Sequence, residues 1–255
     1  MDRDEDGNAY LIIHSGSRSL GLQVAHIYQN RAVAYCKNKG KEEKERVSAE
    51  LKNSGRQGEI PDALVQISAK YAKWTKTPAD MCFLEGEALE DYLHDVRICQ
   101  EFASMSRRIM ADKICKFLGI FGYSAFETVH NFIDDENVIR KGAIPAKKGQ
   151  RVLIPMNMRD GCILGVGKGN PDWNNSAPHG AGRLLTRGEA KELISVKEFQ
   201  EAMKGIFTTT ANASTIDESP MAYKPMDEIL HHIGPAIEIE KIIKPIYNFK
   251  AANNR

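Results

Sequence analysis

The chain has 255 residues, 42% apolar and 27% charged, enough to bury a core as one large domain or two small ones, and its net charge of +1 offers no compositional case for a nucleic-acid partner. Five cysteines (Cys36, Cys82, Cys99, Cys115, Cys162), odd in number and without a C-x-x-C pair, argue against a disulfide framework or a cysteine zinc knuckle and for a reducing cytoplasm. No apolar run reaches the roughly 18 residues of a membrane span, and the start, Met1 to Gly7, is acidic, so neither membrane insertion nor secretion is expected.

In chain order, Ala9 to Ile13 (AYLII) suits a short buried strand that delivers His14 at its end, ahead of the turn-prone Ser15 to Ser17. Gln23 to Ala34 has helical spacing. The charged run Lys37 to Arg46 reads as its solvated continuation, with alternating signs that favour surface over an RNA patch, until Ser54-Gly55 and Gly58 to Pro61 break it. Glu85 to Leu118 carries the longest helical pattern, a core helix with the stripe Ala88, Leu89, Tyr92, Val96, Cys99, Phe102, Ala103, Ile109 and Met110. Past Gly122 the segments SAFETVHNFI, NVIRKG, QRVLIPM and GCILGVG read as strands, followed by helices near Gly188 to Met203 and Met226 to His232 and by the β-branched stretch Ala236 to Phe249. This order predicts an α+β fold with antiparallel or mixed sheets rather than alternating βαβ units.

The seven histidines divide by context. His26, His231 and His232 lie on amphipathic helices, as surface or satisfied core residues, and His94 precedes Asp95, a pair that binds metal in some phosphohydrolases but sits on a helix explained by packing. His14, His130 and His179 each stand beside small or amide residues at the edge of a predicted strand, where a ligand can approach. His130 offers a metal-binding nitrogen next to the Asn131 amide. His179 lies in SAPHGAGR, where Gly180, Ala181 and Gly182 leave room for a bulky ligand and Arg183 can pair with phosphate or a structural carboxylate. A turn histidine bonded to backbone fits each of the three equally well. Neither a phosphate-binding G-x-x-x-x-G-K-[ST] loop nor a G-x-G-x-x-G motif occurs, so Gly165 to Pro171 reads as a turn, and no G-x-S-x-G elbow supports a nucleophilic serine.

Six segments taken together, HSGSRSLG (His14 to Gly21), ETVHNFI (Glu127 to Ile133), LIPMNMRDG (Leu153 to Gly161), SAPHGAGRLLTR (Ser176 to Arg187), DESPMAYK (Asp217 to Lys224) and KPIYNFKA (Lys244 to Ala251), resemble RtcB RNA ligases in order and spacing. The resemblance implies a single catalytic domain over residues 1–255, with sheets flanked by helices around a central metal cleft. It implies ligation of an RNA 3′-phosphate or 2′,3′-cyclic phosphate end to a 5′-hydroxyl end, with GTP and Mn²⁺, in tRNA splicing or RNA repair. His179 matches the histidine that becomes guanylylated, and His14 and His130 match metal ligands. Carried over as GMP contacts are Asn131, Pro155, Met156, Asn157, Met158, Cys162, His179, Gly180, Ala181, Gly182 and Lys250. Some members have serine at the positions of Asn157 and Cys162.

Family members also carry, upstream of HSGSR, an acidic residue and a cysteine that bind metal, and a GGGNHF-type motif whose histidine does so. Nothing in this chain matches them; Cys82, in MCFLE, has a different context. The expectation is an N-terminally incomplete ligase that binds Mn²⁺ and GTP poorly alone and either self-associates or takes a partner supplying the N-terminal part. Two other readings are a metal-dependent phosphohydrolase using His94 and Asp95, and a noncatalytic remnant that retains nucleotide or RNA binding.

Overall fold

The computed structural model describes residues 1–251, which form two units: His14–Met110, and Met1–Ile13 together with the described residues from Ala111 onward. The first is helical, with α1 (Arg18–Asn38), α2 (Lys41–Asn53), α3 (Ile60–Lys70), α4 (Ala72–Thr75) and the long α5 (Glu87–Phe117), which carries the chain into the second unit. The charged run is not one helix. Between α1 and α2 Gly40 takes a left-handed φ of 82°, and a Cβ there would collide with the Tyr71 ring, so the chain turns where the charge pattern alone predicts continuation. Lys37 Nζ then donates to the carbonyls of Thr75 (3.0 Å) and Thr77 (2.6 Å), holding the end of α1 against the turn after α4. The stripe predicted along α5 is only partly buried. Cys99 and Ala103 are inside, whereas Phe102 and Ile109 are each 48% exposed, because the helix packs along a face narrower than its apolar stripe.

The second unit contains β1 (Asp2–Arg3), β2 (Ala9–Tyr10), β3 (Phe132–Ile133), β4 (Ile139–Arg140), β5 (Ala143–Pro145), β6 (Arg151–Pro155), β7 (Cys162–Gly167), β8 (Ser176–Pro178), α6 (Arg187–Leu193), α7 (Val196–Ala202), α8 (Met226–Ile233) and β9 (Ile237–Pro245). Five strands make an antiparallel sheet in the order β2-β1-β9-β7-β6, while β3–β4 and β5–β8 form two small antiparallel ladders, so the α+β expectation holds. Strand β7 is central, and its unbroken apolar run suits burial on both faces. Ile163 packs with Val152, Ile154 and Ile237 on one side, and Cys162 and Leu164 with Ile243 on the other. A second core gathers Met158, Phe199, Met203 and Ile216 beneath α6 and α7. Those two helices replace the single one read near Gly188 to Met203, because Thr186 and Ser195 each open a helix with a reciprocal capping box to Glu189 and Glu198.

Two strand expectations are corrected. Of AYLII only Ala9–Tyr10 joins a ladder, at the sheet edge and half-buried at most, since β2 pairs with β1 alone. Of SAFETVHNFI only Phe132–Ile133 is strand. Asn131 adopts a left-handed φ of 55° that interrupts extension, and the preceding segment meets β6 through side chains, with Thr128 Oγ1 3.4 Å from the Leu153 carbonyl and the Arg151 guanidinium 4.3 Å from the Phe126 ring centroid.

The N-terminal hairpin is held to β9 by one buried carboxylate. Asp4 accepts from the Asn8 backbone N–H (2.8 Å), Asn8 Nδ2 (2.9 Å), the Tyr10 hydroxyl (2.8 Å) and Lys241 Nζ (2.8 Å). Lys241 first, then Asn8 and Tyr10, hold this carboxyl well below the usual carboxylate range despite burial. A carboxylate depressed in the folded state stabilises above its unfolded pKa of about 4, and that stabilisation fades as pH falls towards the folded value. Asp4→Asn is therefore expected to lower Tm at neutral pH, with the gap from wild type closing progressively below about pH 4. Thermal melts by circular dichroism across that range check it; a gap independent of pH contradicts the assignment.

Candidate functional site

The candidate site in the sheet unit starts from a ladder register. β5 pairs with β8 so that Ala143 faces Pro178, which brings Gly142, one residue before β5, beside His179, one residue after β8. The His179 backbone N–H donates to the Gly142 carbonyl (3.3 Å), and ring Nδ1 lies 2.7 Å from the same oxygen. A carbonyl oxygen can only accept, so Nδ1 carries the hydrogen, and in the neutral ring Nε2 is then the nitrogen with the lone pair. Gly142 has a left-handed φ of 69°, and its N–H donates to Asn131 Oδ1 (2.7 Å). The adjacent His130 ring stands 5.1 Å from that of His179, centroid to centroid, tilted by 38°.

The β3–β4 hairpin that follows His130 and Asn131 is tied to the entry of β8 by Arg140, which sequence reasoning missed. Its side chain is only 3% exposed, pairs with Asp134 of its own β3–β4 hairpin, and sends Nε to Ser176 Oγ (2.9 Å) and Nη2 to the Asn174 carbonyl (3.3 Å) at the entry to β8. Burial pushes the Asp134 carboxyl up, but Arg140 and the backbone N–H groups of Val138 and Glu136 outweigh it and hold it below the ordinary range. The i, i+6 spacing of Asp134 and Arg140 around Asn137, another left-handed residue (φ 59°), was the available signal.

After His179 the chain runs close to β6. A Cβ on Gly180 would come 2.8 Å from the Pro155 carbonyl oxygen, Ala181 is buried in the core, and Gly182 has a left-handed φ of 71°. Pro155 ends β6, and Met156 and Met158 point into the cores, with the Met156 N–H bound to the Gly161 carbonyl (2.8 Å) and the Met158 carbonyl accepting from Asn248 Nδ2 (3.4 Å). Asn157 is committed to its own turn: Oδ1 accepts from the Arg159 and Asp160 backbones (2.9 Å each) and Nδ2 donates to Asp160 (2.7 Å). Burial, then the adjoining Asp2, push the Cys162 thiol far up, so it is a packed thiol rather than a nucleophile.

Lys250 belongs to a separate charge cluster. Its Nζ is 3.5 Å from Glu218 Oε2, which also accepts from the Tyr223 hydroxyl (2.7 Å), while Glu218 Oε1 accepts from Arg187 Nη1 (3.0 Å). Burial raises the Glu218 carboxyl, yet Lys250, Tyr223 and the arginines together hold it low, whereas burial and Glu218 push the Tyr223 hydroxyl far up. Arg183 is structural: it donates to the Leu185 carbonyl (3.0 Å), the Tyr223 hydroxyl (3.0 Å) and the Asp217 carbonyl. Sequence reasoning assigned Glu218 and Tyr223 no role, although both stand in DESPMAYK.

His14 lies in the helical unit, exposed, just ahead of α1. His26, His94, His231 and His232 are exposed, and Asp95 accepts the Tyr28 hydroxyl (2.8 Å), which leaves the phosphohydrolase reading without a site. Among the described residues no group of three or more His, Cys, Asp and Glu side chains is placed to hold a metal ion.

A family model described as tRNA-splicing ligase RtcB matches residues 3–251. The chain is 28% identical over 255 aligned residues to the RNA-splicing ligase RtcB of Escherichia coli (strain K12), covering 92% of this chain and 54% of that protein. It is 28% identical to the tRNA-splicing ligase RtcB of Aeropyrum pernix (90% of this chain, 50% of that one) and 27% identical to that of Methanococcus maripaludis (92% and 51%). The chain thus spans about half the length of the curated relatives it matches.

The approach of Gly180 to the Pro155 carbonyl is testable. Gly180→Ala forces a backbone oxygen to move and is expected to destabilise the fold by about 1–3 kcal/mol, the range for overpacking, measured by urea unfolding. An unchanged midpoint would mean that the loop carrying His179 yields freely.

Proposed function

The chain belongs to the RtcB family of tRNA-splicing ligases, and from that premise we propose that it carries the guanylylated histidine of a GTP-dependent RNA ligase, joining a 3′-phosphate or 2′,3′-cyclic phosphate end to a 5′-hydroxyl end. The supporting observation is the commitment of His179 Nδ1 to the Gly142 carbonyl, which leaves Nε2 as the free base. Nε2 attacks the α-phosphorus of GTP, the N–P bond forms, the bond to the bridging oxygen breaks, and pyrophosphate leaves. The positive charge that develops on the ring is shared with Nδ1–H, which points at a carbonyl dipole already in place. Gly180 and Gly182 keep side chains off the approach. GMP then passes to the RNA 3′-phosphate, and the 5′-hydroxyl displaces it.

The proposal includes Mn²⁺, whose charge would neutralise the triphosphate, with His14 and His130 among its ligands. These two do not complete a shell, since the described residues place no group of three or more metal-ligating side chains together. The rest is assigned to substrate oxygens and to a second chain, by self-association or from a partner that supplies the N-terminal part. The GMP contacts proposed are Pro155, Met156, Asn157 and Met158, then Cys162, His179 to Gly182, Asn131 and Lys250, the last presented by Glu218. RNA is the macromolecular partner, and the setting is a reducing cytoplasm; no described helix is long and apolar enough to cross a membrane.

Incubating the chain with α-labelled GTP and Mn²⁺, then resolving it on a denaturing gel, is expected to leave acid-labile label on wild type and none on His179→Ala. Label that survives the substitution would remove His179 from the nucleophile's role. A blank result for both would mean that guanylylation does not run on this chain's residues alone.

A further inference from the structure

Gly142 is the second of two residues between the β3–β4 hairpin, which ends in β4 and lies just after His130 and Asn131, and the β5–β8 ladder, which presents His179. Lys141 separates it from β4. A glycine here samples many backbone states, since no Cβ restricts it, and the φ of 69° is one of several open to it. Space does not select that state, because a Cβ at Gly142 would make only ordinary contact with the His179 ring, at 3.7 Å. On its C-terminal side the ladder holds the residue, through Ala143 opposite Pro178 and the 3.3 Å bond from the His179 N–H. On its N-terminal side the hold is the 2.7 Å bond from the Gly142 N–H to Asn131 Oδ1.

We propose that Asn131 is a positioning residue for His179: through Oδ1 it locks Gly142 in the left-handed state that aims the Gly142 carbonyl at Nδ1, and so keeps the ring in the tautomer with Nε2 free. Asn131 suits the task for two reasons. It occupies the left-handed region itself (φ 55°), where asparagine is among the few non-glycine residues at ease, and from there its short side chain reaches the Gly142 N–H. A ligating or nucleophilic imidazole is commonly oriented by a bond at its other nitrogen; here that partner is a backbone carbonyl with its own support. The inference rests on the proposed nucleophile role of His179 only for its kinetic consequence. The geometric claim stands apart from it.

Two substitutions separate this role from simple structural support. Asn131→Gly removes the acceptor while keeping the left-handed backbone accessible, and Asn131→Asp keeps an acceptor oxygen but removes Nδ2. The His179 tautomer is read directly by long-range ¹H–¹⁵N correlation on ¹⁵N-histidine-labelled protein, at a pH where the ring is neutral, with the His179→Ala spectrum giving the assignment and circular dichroism confirming the fold. Wild type is expected as the Nδ1–H tautomer, Asn131→Gly as a mixture, and Asn131→Asp as a return to Nδ1–H. In the labelling assay, the guanylylation rate at saturating GTP should fall about ten-fold in Asn131→Gly, as for loss of a supporting hydrogen-bond partner, with the aspartate variant recovering most of the loss. A wild-type Nε2–H tautomer, an unchanged tautomer in Asn131→Gly, or failure of the aspartate to restore it would each overturn the proposal. Because the tautomer is read without GTP, a chain that shows the expected tautomers but takes no label leaves this proposal standing and means only that guanylylation does not run on this chain's residues alone.

Discussion

At Gly142 two backbone polar groups of one residue are both used to orient side chains. Its N–H is bound by Asn131 and its carbonyl by His179, so two residues far apart in sequence are tied to a single point on the backbone. Backbone donors and acceptors must find partners, and here that obligation is met by the residues proposed to carry and position the chemistry. Beneath this point lies Arg140, a nearly buried guanidinium whose donors run to Asp134, Ser176 and Asn174. A charge in that position is tolerable only when paired and fully bonded, which makes the approach of the hairpin to β8 specific rather than merely apolar.

The second cluster follows the same logic with several charges. Glu218 collects a tyrosine hydroxyl, an arginine and Lys250, and each donor helps keep its carboxylate ionised against the burial that opposes it. Arg183, in the same glycine-rich segment as His179, spends its donors on two carbonyls and the Tyr223 hydroxyl, fastening the end of that segment to the stretch that carries Glu218. The His179 segment is therefore held at its start by Gly142 and at its end by Arg183, with two glycines between. A short loop pinned at both ends can present an imidazole at a defined angle.

The relation to full-length relatives gives this arrangement its context. The chain aligns with about half of each, and among its described residues the metal-ligating side chains do not gather in threes, yet the histidine and its supports stand fully assembled in one unit. Orientation of the imidazole is a property of local ladders and hydrogen bonds, so it needs only the sheet unit. A metal shell needs several side chains converging on one point, a more demanding condition that a part of a family's length need not satisfy.

The sequence by itself determined the fold class, the long helix α5, the strands β6, β7 and β9, and the residues to watch: periodicity of 2 or 3.6, capping residues and glycines are local signals, and motifs such as PHGAGR are read in order along the chain. It did not separate α6 from α7, although the Ser195–Glu198 capping box was there to be read. It also ran Lys37 to Arg46 through Gly40, whose left-handed turn has the ring of Tyr71, the residue between α3 and α4, packed where a Cβ would stand. Only the tertiary structure decided that His130 and Asn131 meet His179, that a glycine carbonyl selects the free nitrogen of the ring, and that Arg140 and Glu218 hold the two halves of the arrangement. Those pairings lie 30 to 50 residues apart or rest on backbone atoms, which every residue carries alike. A side chain leaves its mark in the sequence; the direction of a carbonyl exists only once the ladder beside it has formed.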